Sequence, residues 1–356
     1  MSRFFSEKYA SLVPYVPGEQ PKKEKYIKLN TNESPFPPSP LAVELAAKAA
    51  EHFELYSDPE CRELVEAACE FYGVDKDEIL FTNGSDEILN FAFMAFCDKE
   101  HPAVFPDITY GFYPVFAELN GIPYETIPLK EDFSLAASDY VGIGRTIFIA
   151  NPNAPTGLTI SLADIERIAA SNPDNVVVID EAYVDFGGES AVQLIHKYDN
   201  LLITQTFSKS RSMAGARLGM GFGCKALIGD LNAIKYSTNP YNINSATMAA
   251  GVGALKDTAY FRKNCGEIIK TREWTKAQLL RLGFRVTESR ANFLFAAAPN
   301  YSGRDLYLDL KAKGILVRHF ETPRLRDYNR ITIGSREQME ALIAGIESLL
   351  ALGGSQ

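Results

Sequence analysis

The sequence predicts an α/β fold: a mostly parallel sheet with flanking helices, joined to a smaller α+β domain. Strand-like runs alternate with helical patterns between about residues 79 and 204, which is typical of right-handed βαβ crossovers. The β-branched run at 176–179 indicates a strand buried on both faces, as parallel strands are. Beyond about residue 255 a long charged helical run is followed by short alternating strands, which indicates the second domain.

The elements follow from local signals along the chain. Residues 1–38 are rich in Pro and Lys and predict an irregular arm. Ser39 and Pro40 predict a helix start, because Ser caps helices well and Pro fits their first turn. Further helices are predicted at 61–72, 86–96, 113–119, 162–169, 260–282 and 337–350, and strands at 79–82, 103–105, 124–127, 146–150, 176–179, 201–204, 284–286, 293–297, 315–317 and 330–333. We expect a large domain over 39–255 and a small domain formed by 1–38 and 256–356.

Composition excludes several classes of protein. The net charge is −9 and the 36 basic residues are dispersed, so a nucleic-acid partner is not expected, since such affinity comes mostly from phosphate neutralisation. The five cysteines are odd in number and the four histidines show no ligand spacing, which argues against a disulfide framework or a metal centre. No apolar leader or membrane span is visible. These features predict a cytoplasmic protein with reduced thiols.

Two residues stand where chemistry is expected. Asp180 follows the β-branched run and therefore ends a strand, where open α/β sheets bind ligands. Lys209 follows a second apolar run among small and hydroxyl residues, and a lysine can form a Schiff base with a carbonyl cofactor. A strand-end Asp with such a Lys is the pair that pyridoxal phosphate enzymes use. Separately, Lys209 could be a solvated loop lysine and Asp180 a helix N-cap.

Residues around this pair could hold a phosphate group. Ser208 directly precedes Lys209, and Arg217 follows eight residues later with a guanidinium suited to bidentate contacts. A glycine turn, Gly84-Ser85-Asp86, joins the predicted strand 79–82 to a helix. The N-terminus of a helix favours anions, although an ordinary N-cap would produce the same pattern.

A set of motifs carries a family resemblance. These are Asn83-Gly84-Ser85-Asp86-Glu87, Tyr110-Gly111, Asn151-Pro152-Asn153-Ala154-Pro155-Thr156-Gly157, Asp180-Glu181-Ala182-Tyr183, Ser208-Lys209 and Gly215-Ala216-Arg217-Leu218-Gly219. In order and spacing the set resembles fold-type I pyridoxal phosphate aminotransferases, and among them the histidinol-phosphate aminotransferases. The resemblance implies an aspartate aminotransferase-like large domain, pyridoxal 5'-phosphate as cofactor, and transfer of an amino group from a small-molecule donor to a 2-oxo acid such as 2-oxoglutarate.

The resemblance also implies roles for individual residues. Lys209 would link to the cofactor and then act as general base and acid, while Asp180 keeps the ring nitrogen protonated. Tyr183 would donate to the phenolic oxygen, and Tyr110 would stack on the ring. Gly84, Ser85, Asp86, Ser208 and Arg217 would surround the phosphate. Taken singly, Tyr110 would more often be a core residue.

Two further implications concern position 154 and the assembly. The family usually has Asn before Pro155, where its amide binds the cofactor; here the residue is Ala154, so the role is lost, taken by Asn153 or left to Tyr183. Tyr56 resembles the tyrosine that reaches a neighbouring subunit's cofactor phosphate, which implies a homodimer with shared sites. Alternatively, Tyr56 packs in its own core.

Three residues outside the cofactor set resemble substrate-binding positions. Arg330 is similar to the arginine that binds a substrate carboxylate, and Tyr15 and Arg318 to positions that address the phosphate of histidinol phosphate. Surface ion pairs would be the plain alternative for the arginines. Aromatic amino acids, or O-phosphothreonine in a decarboxylase, remain rival substrates.

Other classes of protein fit less well. A nicotinamide-binding enzyme would carry G-x-G-x-x-G after an early strand, whereas the glycine clusters at 219–223 and 251–253 lack the third Gly and come late. A non-catalytic pyridoxal phosphate-binding regulator would carry an added DNA-binding domain, for which the arm of about 38 residues leaves no room.

Overall fold

The computed structural model describes residues 2–10, 12–20 and 26–353. In chain order its strands are β1 (Ile27–Lys28), β2 (Ile79–Thr82), β3 (Ala103–Pro106), β4 (Tyr124–Ile127), β5 (Thr146–Ala150), β6 (Val177–Asp180), β7 (Leu201–Thr206), β8 (Gly219–Phe222), β9 (Arg285–Val286), β10 (Phe293–Ala297), β11 (Ile315–Leu316), β12 (Arg318–His319) and β13 (Tyr328–Thr332). Its α-helices are α1 (Pro40–Ala50), α2 (Arg62–Tyr72), α3 (Ser85–Phe96), α4 (Phe112–Asn120), α5 (Leu162–Ser171), α6 (Lys225–Thr238), α7 (Ser245–Lys256), α8 (Thr258–Arg281), α9 (Gly303–Ala312) and α10 (Arg336–Gly353).

A seven-stranded sheet organises the first part of the chain, in the order β2-β8-β7-β6-β5-β3-β4. Neighbours from β7 to β4 pair in parallel, whereas β8 is antiparallel to both β7 and β2. Because β2 and β7 each oppose β8, they run in the same direction. The carboxyl ends of β2, β3, β5, β6 and β7 therefore meet at one edge of the sheet.

Both faces of this sheet are buried, which explains the continuous apolar runs in its strands. Ile147 and Ile149 enter a cluster with residues of α1, α2, α5 and α7, while the intervening Phe148 enters a second cluster with α3, α4 and α6. Alternate side chains point to opposite faces of a strand, so helices cover the sheet on both sides.

The second half of the chain forms a smaller sheet in the order β12-β13-β10-β9, all antiparallel, packed with α8, α9 and α10. The N-terminal arm joins this part, because β1 pairs in parallel with β11. The adjoining Thr31 and Asn32 then run across to the carboxyl edge of the large sheet, where both contact its residues.

The predicted fold class is confirmed, with several differences in the elements. The elements β1, β8, β12, α6, α7 and α9 were not predicted from the sequence, and the strand predicted at 315–317 is only the short β11. The strand predicted at 176–179 lies one residue later, at Val177–Asp180. Among the described residues, no helix is long and apolar enough to cross a membrane. The division into domains at residues 38 and 255 stays a prediction.

Candidate active site

A cavity opens at the carboxyl edge of the large sheet. The structure brings most of the predicted cofactor residues to its wall: Ser85, Asp86, Tyr110, Asp180, Tyr183, Ser208, Lys209 and Arg217. Each comes from a strand end or from the segment that follows one. Gly84 adjoins the wall, since a Cβ there would lie 2.6 Å from Nη2 of Arg217.

Asp180 is the last residue of β6 and is 5% exposed. Its Oδ1 accepts a hydrogen bond from Oγ1 of Thr204 at 3.0 Å, and its Oδ2 accepts one from Oη of Tyr113 at 3.2 Å. Burial raises the pKa of this carboxyl to about 6, and the charge of Asp86 adds to the rise, whereas both hydroxyls oppose it. The carboxylate is thus only partly compensated and favours a cation beside it.

Lys209 follows β7 and lies where two cavities meet. Its Nζ donates to the carbonyl oxygen of Thr31 at 3.4 Å and lies 5.8 Å from the ring centre of Tyr183. The side chain is half-buried and lines both the cavity described above and a larger one beside it. An amine placed in this way can reach a ligand in either cavity.

The other end of the first cavity is suited to an anion. Gly84 precedes α3 with φ at +82°, a conformation that strongly favours glycine, and a Cβ there would displace the Arg217 guanidinium. Arg217 donates to Oγ of Ser208 at 3.2 Å and to Oδ2 of Asp86 at 3.3 Å. Asp86 also accepts from Oη of Tyr110 at 2.6 Å. The free N–H groups of α3 and the Arg217 guanidinium therefore share this end.

The larger cavity is about 960 Å³, within the usual range of small-molecule sites of about 300–1,000 Å³. Tyr15, Arg318 and Arg330 line it together with Lys209. Tyr15 stacks on Phe112 at 4.1 Å between ring centres, so the arm forms part of the wall.

Arg318 and Arg330 lie directly opposite each other on β12 and β13. Like charges at such positions repel, and burial together with the Arg318 charge lowers the pKa of the Arg330 guanidinium. Within the described part of the chain, neither arginine has a carboxylate at ion-pair distance; Arg330 donates to the carbonyl oxygen of Asn30 at 3.1 Å. The alternative of surface ion pairs is therefore wrong, and the pair favours an anionic ligand.

Two predicted cofactor residues do not reach the cavity. Asn153 turns away, because its amide donates to Ile108 and Thr156 and its Oδ1 accepts from Thr109. Tyr56 is 84% exposed and stacks on Tyr241 at 4.7 Å, so the alternative that it packs in its own core is wrong.

The sequence analysis missed three residues of the site. Thr204 pairs with Asp180 in the β6–β7 register, which aligning the two strand ends could have suggested. Tyr113 lies in the first turn of α4, three residues after Tyr110, which precedes that helix. Asn32 donates to the hydroxyl of Tyr183 at 2.9 Å, and no local pattern indicates a contact so distant in sequence.

Comparison with known proteins agrees with this geometry. The family model for aminotransferase class I and II matches residues 24–346. The chain belongs to the class I and II aminotransferases. Histidinol-phosphate aminotransferases of Brachyspira hyodysenteriae and Clostridium beijerinckii are 48% and 46% identical to it, over 98–99% of each chain. The predicted family is therefore confirmed.

Solved structures show that this aminotransferase shares a common fold. The histidinol-phosphate aminotransferase of Sinorhizobium meliloti, solved in complex with pyridoxal-5'-phosphate, matches with a TM-score of 0.87 at 23% identity, over 98% of this chain and 99% of that one. An aspartate aminotransferase mutant of Thermus thermophilus matches with a TM-score of 0.81 at 19% identity, over 97% and 99%. The aspartate aminotransferase-like large domain expected from the sequence agrees with both.

Replacing Asp180 by Asn should stabilise the cofactor-free aminotransferase at high pH. The folded-state pKa of about 6 exceeds the ordinary 3.8, so the folded state binds the proton more tightly and ionisation destabilises it as pH rises. The gain over the unmodified chain should be small near pH 4 and approach about 3 kcal/mol above pH 7. Urea unfolding of both apoproteins across this range measures it.

Glu181 provides the internal control for that comparison. Burial raises its pKa to about 7, but it titrates in both proteins and cancels in their difference. A stability difference that stays constant with pH would contradict the assigned environment of Asp180.

Proposed function

We propose that this chain is a pyridoxal 5'-phosphate-dependent transaminase that transfers the amino group of histidinol phosphate to 2-oxoglutarate, giving imidazole acetol phosphate and glutamate. The observation that carries the substrate assignment is the opposed pair Arg318 and Arg330 in the cavity that Lys209 also lines. Relatives of nearly equal length named histidinol-phosphate aminotransferase support it.

The residues of the first cavity fit the cofactor. Its phosphate would lie at the α3 N-terminus, held by Ser85, Ser208 and Arg217, with Asp86 orienting the guanidinium rather than touching the anion. Gly84 leaves the space that this seat needs. At the other end, the under-compensated carboxylate of Asp180 suits a protonated ring nitrogen. The cavity therefore offers both an anion site and a cation partner.

When bound, pyridoxal phosphate supplies an aldehyde for imine chemistry and a ring that accepts electrons. Asp180 holds the proton on the ring nitrogen, and its burial strengthens that interaction. Tyr110 provides a flat aromatic wall, while the hydroxyl of Tyr183 is available to donate to the phenolic oxygen. Lys209 Nζ, at the junction of the two cavities, takes a proton from the substrate carbon and returns it nearby.

Lys209 should be the residue that links covalently to the cofactor. Protein purified with pyridoxal phosphate should absorb visible light, and borohydride should fix the cofactor on the peptide that contains Lys209. Lys209→Ala should lose this labelling, whereas Lys225→Ala, at an exposed lysine paired with Asp77, should keep it. Peptide mapping by mass spectrometry provides the measurement, and labelling that persists in Lys209→Ala would show the assignment to be wrong.

The arginine pair favours a phosphate over an apolar side chain. Two guanidiniums on facing strands line one cavity, and a dianion bound there would relieve their repulsion. Tyr15 adds a hydroxyl from the arm on the same cavity. Histidinol phosphate offers such a dianion, whereas phenylalanine offers only its carboxylate. O-phosphothreonine could use the same residues and is separated only by the reaction that follows.

Arg318→Ala and Arg330→Ala should each lower kcat/KM for histidinol phosphate about ten-fold to a hundred-fold or more, since a charge-assisted contact contributes about 1.5–3 kcal/mol. For histidinol, which lacks the phosphate, the same changes should matter much less. Arg281→Ala, at an exposed arginine paired with Glu347, is the matched control.

Steady-state kinetics with 2-oxoglutarate as acceptor measures kcat/KM for the unmodified enzyme and the three arginine variants. A preference of the unmodified enzyme for phenylalanine, or release of carbon dioxide from O-phosphothreonine, would overturn the substrate while leaving the cofactor chemistry in place.

A homodimer with shared sites is part of the proposal. Tyr56 stacks on Tyr241, and both rings are exposed, as are the nearby chain positions Phe53 and Leu55; exposed apolar residues that group together mark interaction surfaces. Two-fold pairing through this patch would cover it and bring Tyr56 to a neighbouring cofactor phosphate. The domain division at residues 38 and 255 and a cytoplasmic location are proposed with it.

Mixing inactive Lys209→Ala chains with inactive Tyr56→Ala chains should restore activity. In a hybrid dimer, one site would combine an intact Lys209 with an intact Tyr56 from the other subunit. Mixing Lys209→Ala with Asp180→Ala chains is the control, because each of their sites carries its own defect and should stay inactive. Absence of rescue after confirmed subunit exchange would count against shared sites.

A further inference from the structure

Ala154 leaves the cofactor cavity without an amide at one point of its wall. Its methyl group lines both cavities and packs in the same apolar cluster as Tyr183. The neighbouring Asn153 cannot replace the amide, because its hydrogen bonds go to Thr109, Ile108 and Thr156. The Tyr183 hydroxyl is therefore the group placed to donate a hydrogen bond to a ligand on this side of the cavity.

That hydroxyl has a partner from the N-terminal arm. Nδ2 of Asn32 lies 2.9 Å from Oη of Tyr183. Asn32 is 1% exposed and Tyr183 is 9% exposed, so water does not compete effectively for this contact. A second, packing contact fixes the ring, since Phe293 meets it edge-on at 5.1 Å between centres.

The direction of each hydrogen bond follows from the backbone. The N–H of Asn32 donates to Oγ1 of Thr332 at 2.9 Å, so the single Thr332 proton is free to donate to Oδ1 of Asn32 at 3.0 Å. This fixes the amide with Nδ2 toward Tyr183. A flipped amide would leave the Thr332 proton without an acceptor among the described residues. Tyr183 consequently accepts from Asn32 and keeps its own proton for another partner.

The position of Asn32 is also held firmly. Its φ is +57°, a left-handed conformation that Asn adopts far more readily than most residues. Nδ2 of Asn292 donates to its carbonyl oxygen at 2.9 Å. Backbone strain of this kind persists only where surrounding contacts enforce it, and it is concentrated at functional sites.

We infer that Asn32, by donating to the Tyr183 hydroxyl beside Ala154, is the positioning residue that directs the tyrosine proton into the cofactor cavity and offsets the missing amide at position 154. The inference rests on the proposed pyridoxal phosphate function. An oxygen that accepts a hydrogen bond donates its own proton more strongly. Asn32 thus acts on the cofactor through Tyr183 without touching it.

Asn32→Asp provides the test, because Asp has nearly the same shape and tolerates the left-handed backbone, yet its carboxylate accepts from Tyr183 instead of donating. The tyrosine proton would then leave the cofactor's phenolic oxygen, whose charge would hold a proton more tightly on the nitrogen that links it to Lys209. The pH midpoint of the visible absorbance of the cofactor-loaded protein should rise by about half to one unit.

Two comparisons separate this role from a structural one. Asn329→Ala removes a different buried amide, in β13, which donates to the carbonyl oxygen of Gly303; it should lower thermal stability and leave the midpoint unchanged. In a protein that already carries Tyr183→Phe, Asn32→Asp should shift the midpoint little, because the hydroxyl through which Asn32 acts is absent. A shift of equal size in both backgrounds would reflect the added charge alone and would overturn the inference.

The absorbance measurement also distinguishes failure of the Asn32 positioning role from failure of the proposed cofactor function. If the unmodified protein shows no visible band with pyridoxal phosphate, the proposed cofactor is wrong. If the band is present and its midpoint is the same in Asn32→Asp as in the unmodified protein, the positioning role is wrong and the cofactor assignment stands.

Discussion

The buried carboxylate of Asp180 is the constraint around which the carboxyl edge of the seven-stranded sheet is arranged. An ionised group removed from water is costly unless it is paired, and here the carboxylate meets neutral donors: the hydroxyls of Thr204 from β7 and Tyr113 from α4, and the backbone of Ala182. Their geometry requires the in-register pairing of β6 with β7 and the docking of α4 over the strand ends. The fold therefore holds a site that is less favourable empty than filled by a cation.

The arginine pair of the four-stranded sheet also lacks a compensating charge, and here the uncompensated charge is positive. Arg318 and Arg330 are cross-strand partners, and the repulsion between them would be relieved by an anion. Both unbalanced charges face cavities that Lys209 lines. A cofactor that offers a cation to Asp180 and a substrate that offers an anion to the arginines would together compensate both charges.

The arm adds a further connection between the first and second parts of the chain. Its first strand pairs with β11, and Thr31 and Asn32 then contact Lys209 and Tyr183, which follow strands of the seven-stranded sheet. The N-terminal arm, which the sequence predicts only to be irregular, therefore contacts residues of the candidate active site. Hydrogen bonds between Asn32 and Thr332 fix the conformation of this segment, which its sequence alone does not indicate.

Much of the fold was predictable because its signals are local. Continuous β-branched runs require burial on both faces, and helix starts such as Ser39 carry their own caps. The strand β8 was missed because Gly219 and Gly221 depress strand propensity. The structure explains the first of these: a Cβ at Gly219 would lie 2.3 Å from the backbone nitrogen of Ser85. A tertiary contact there overrides the local preference.

The sequence by itself determined the strand-end Asp180, the lysine that follows β7 and the glycine turn before α3, since each depends on residue type and position along one strand. Only the tertiary structure decided which way Asn153 points, that Arg318 faces Arg330, and that Asn32 meets Tyr183. Those contacts join segments far apart in the chain, and their register is set by packing and backbone pairing that no local pattern records.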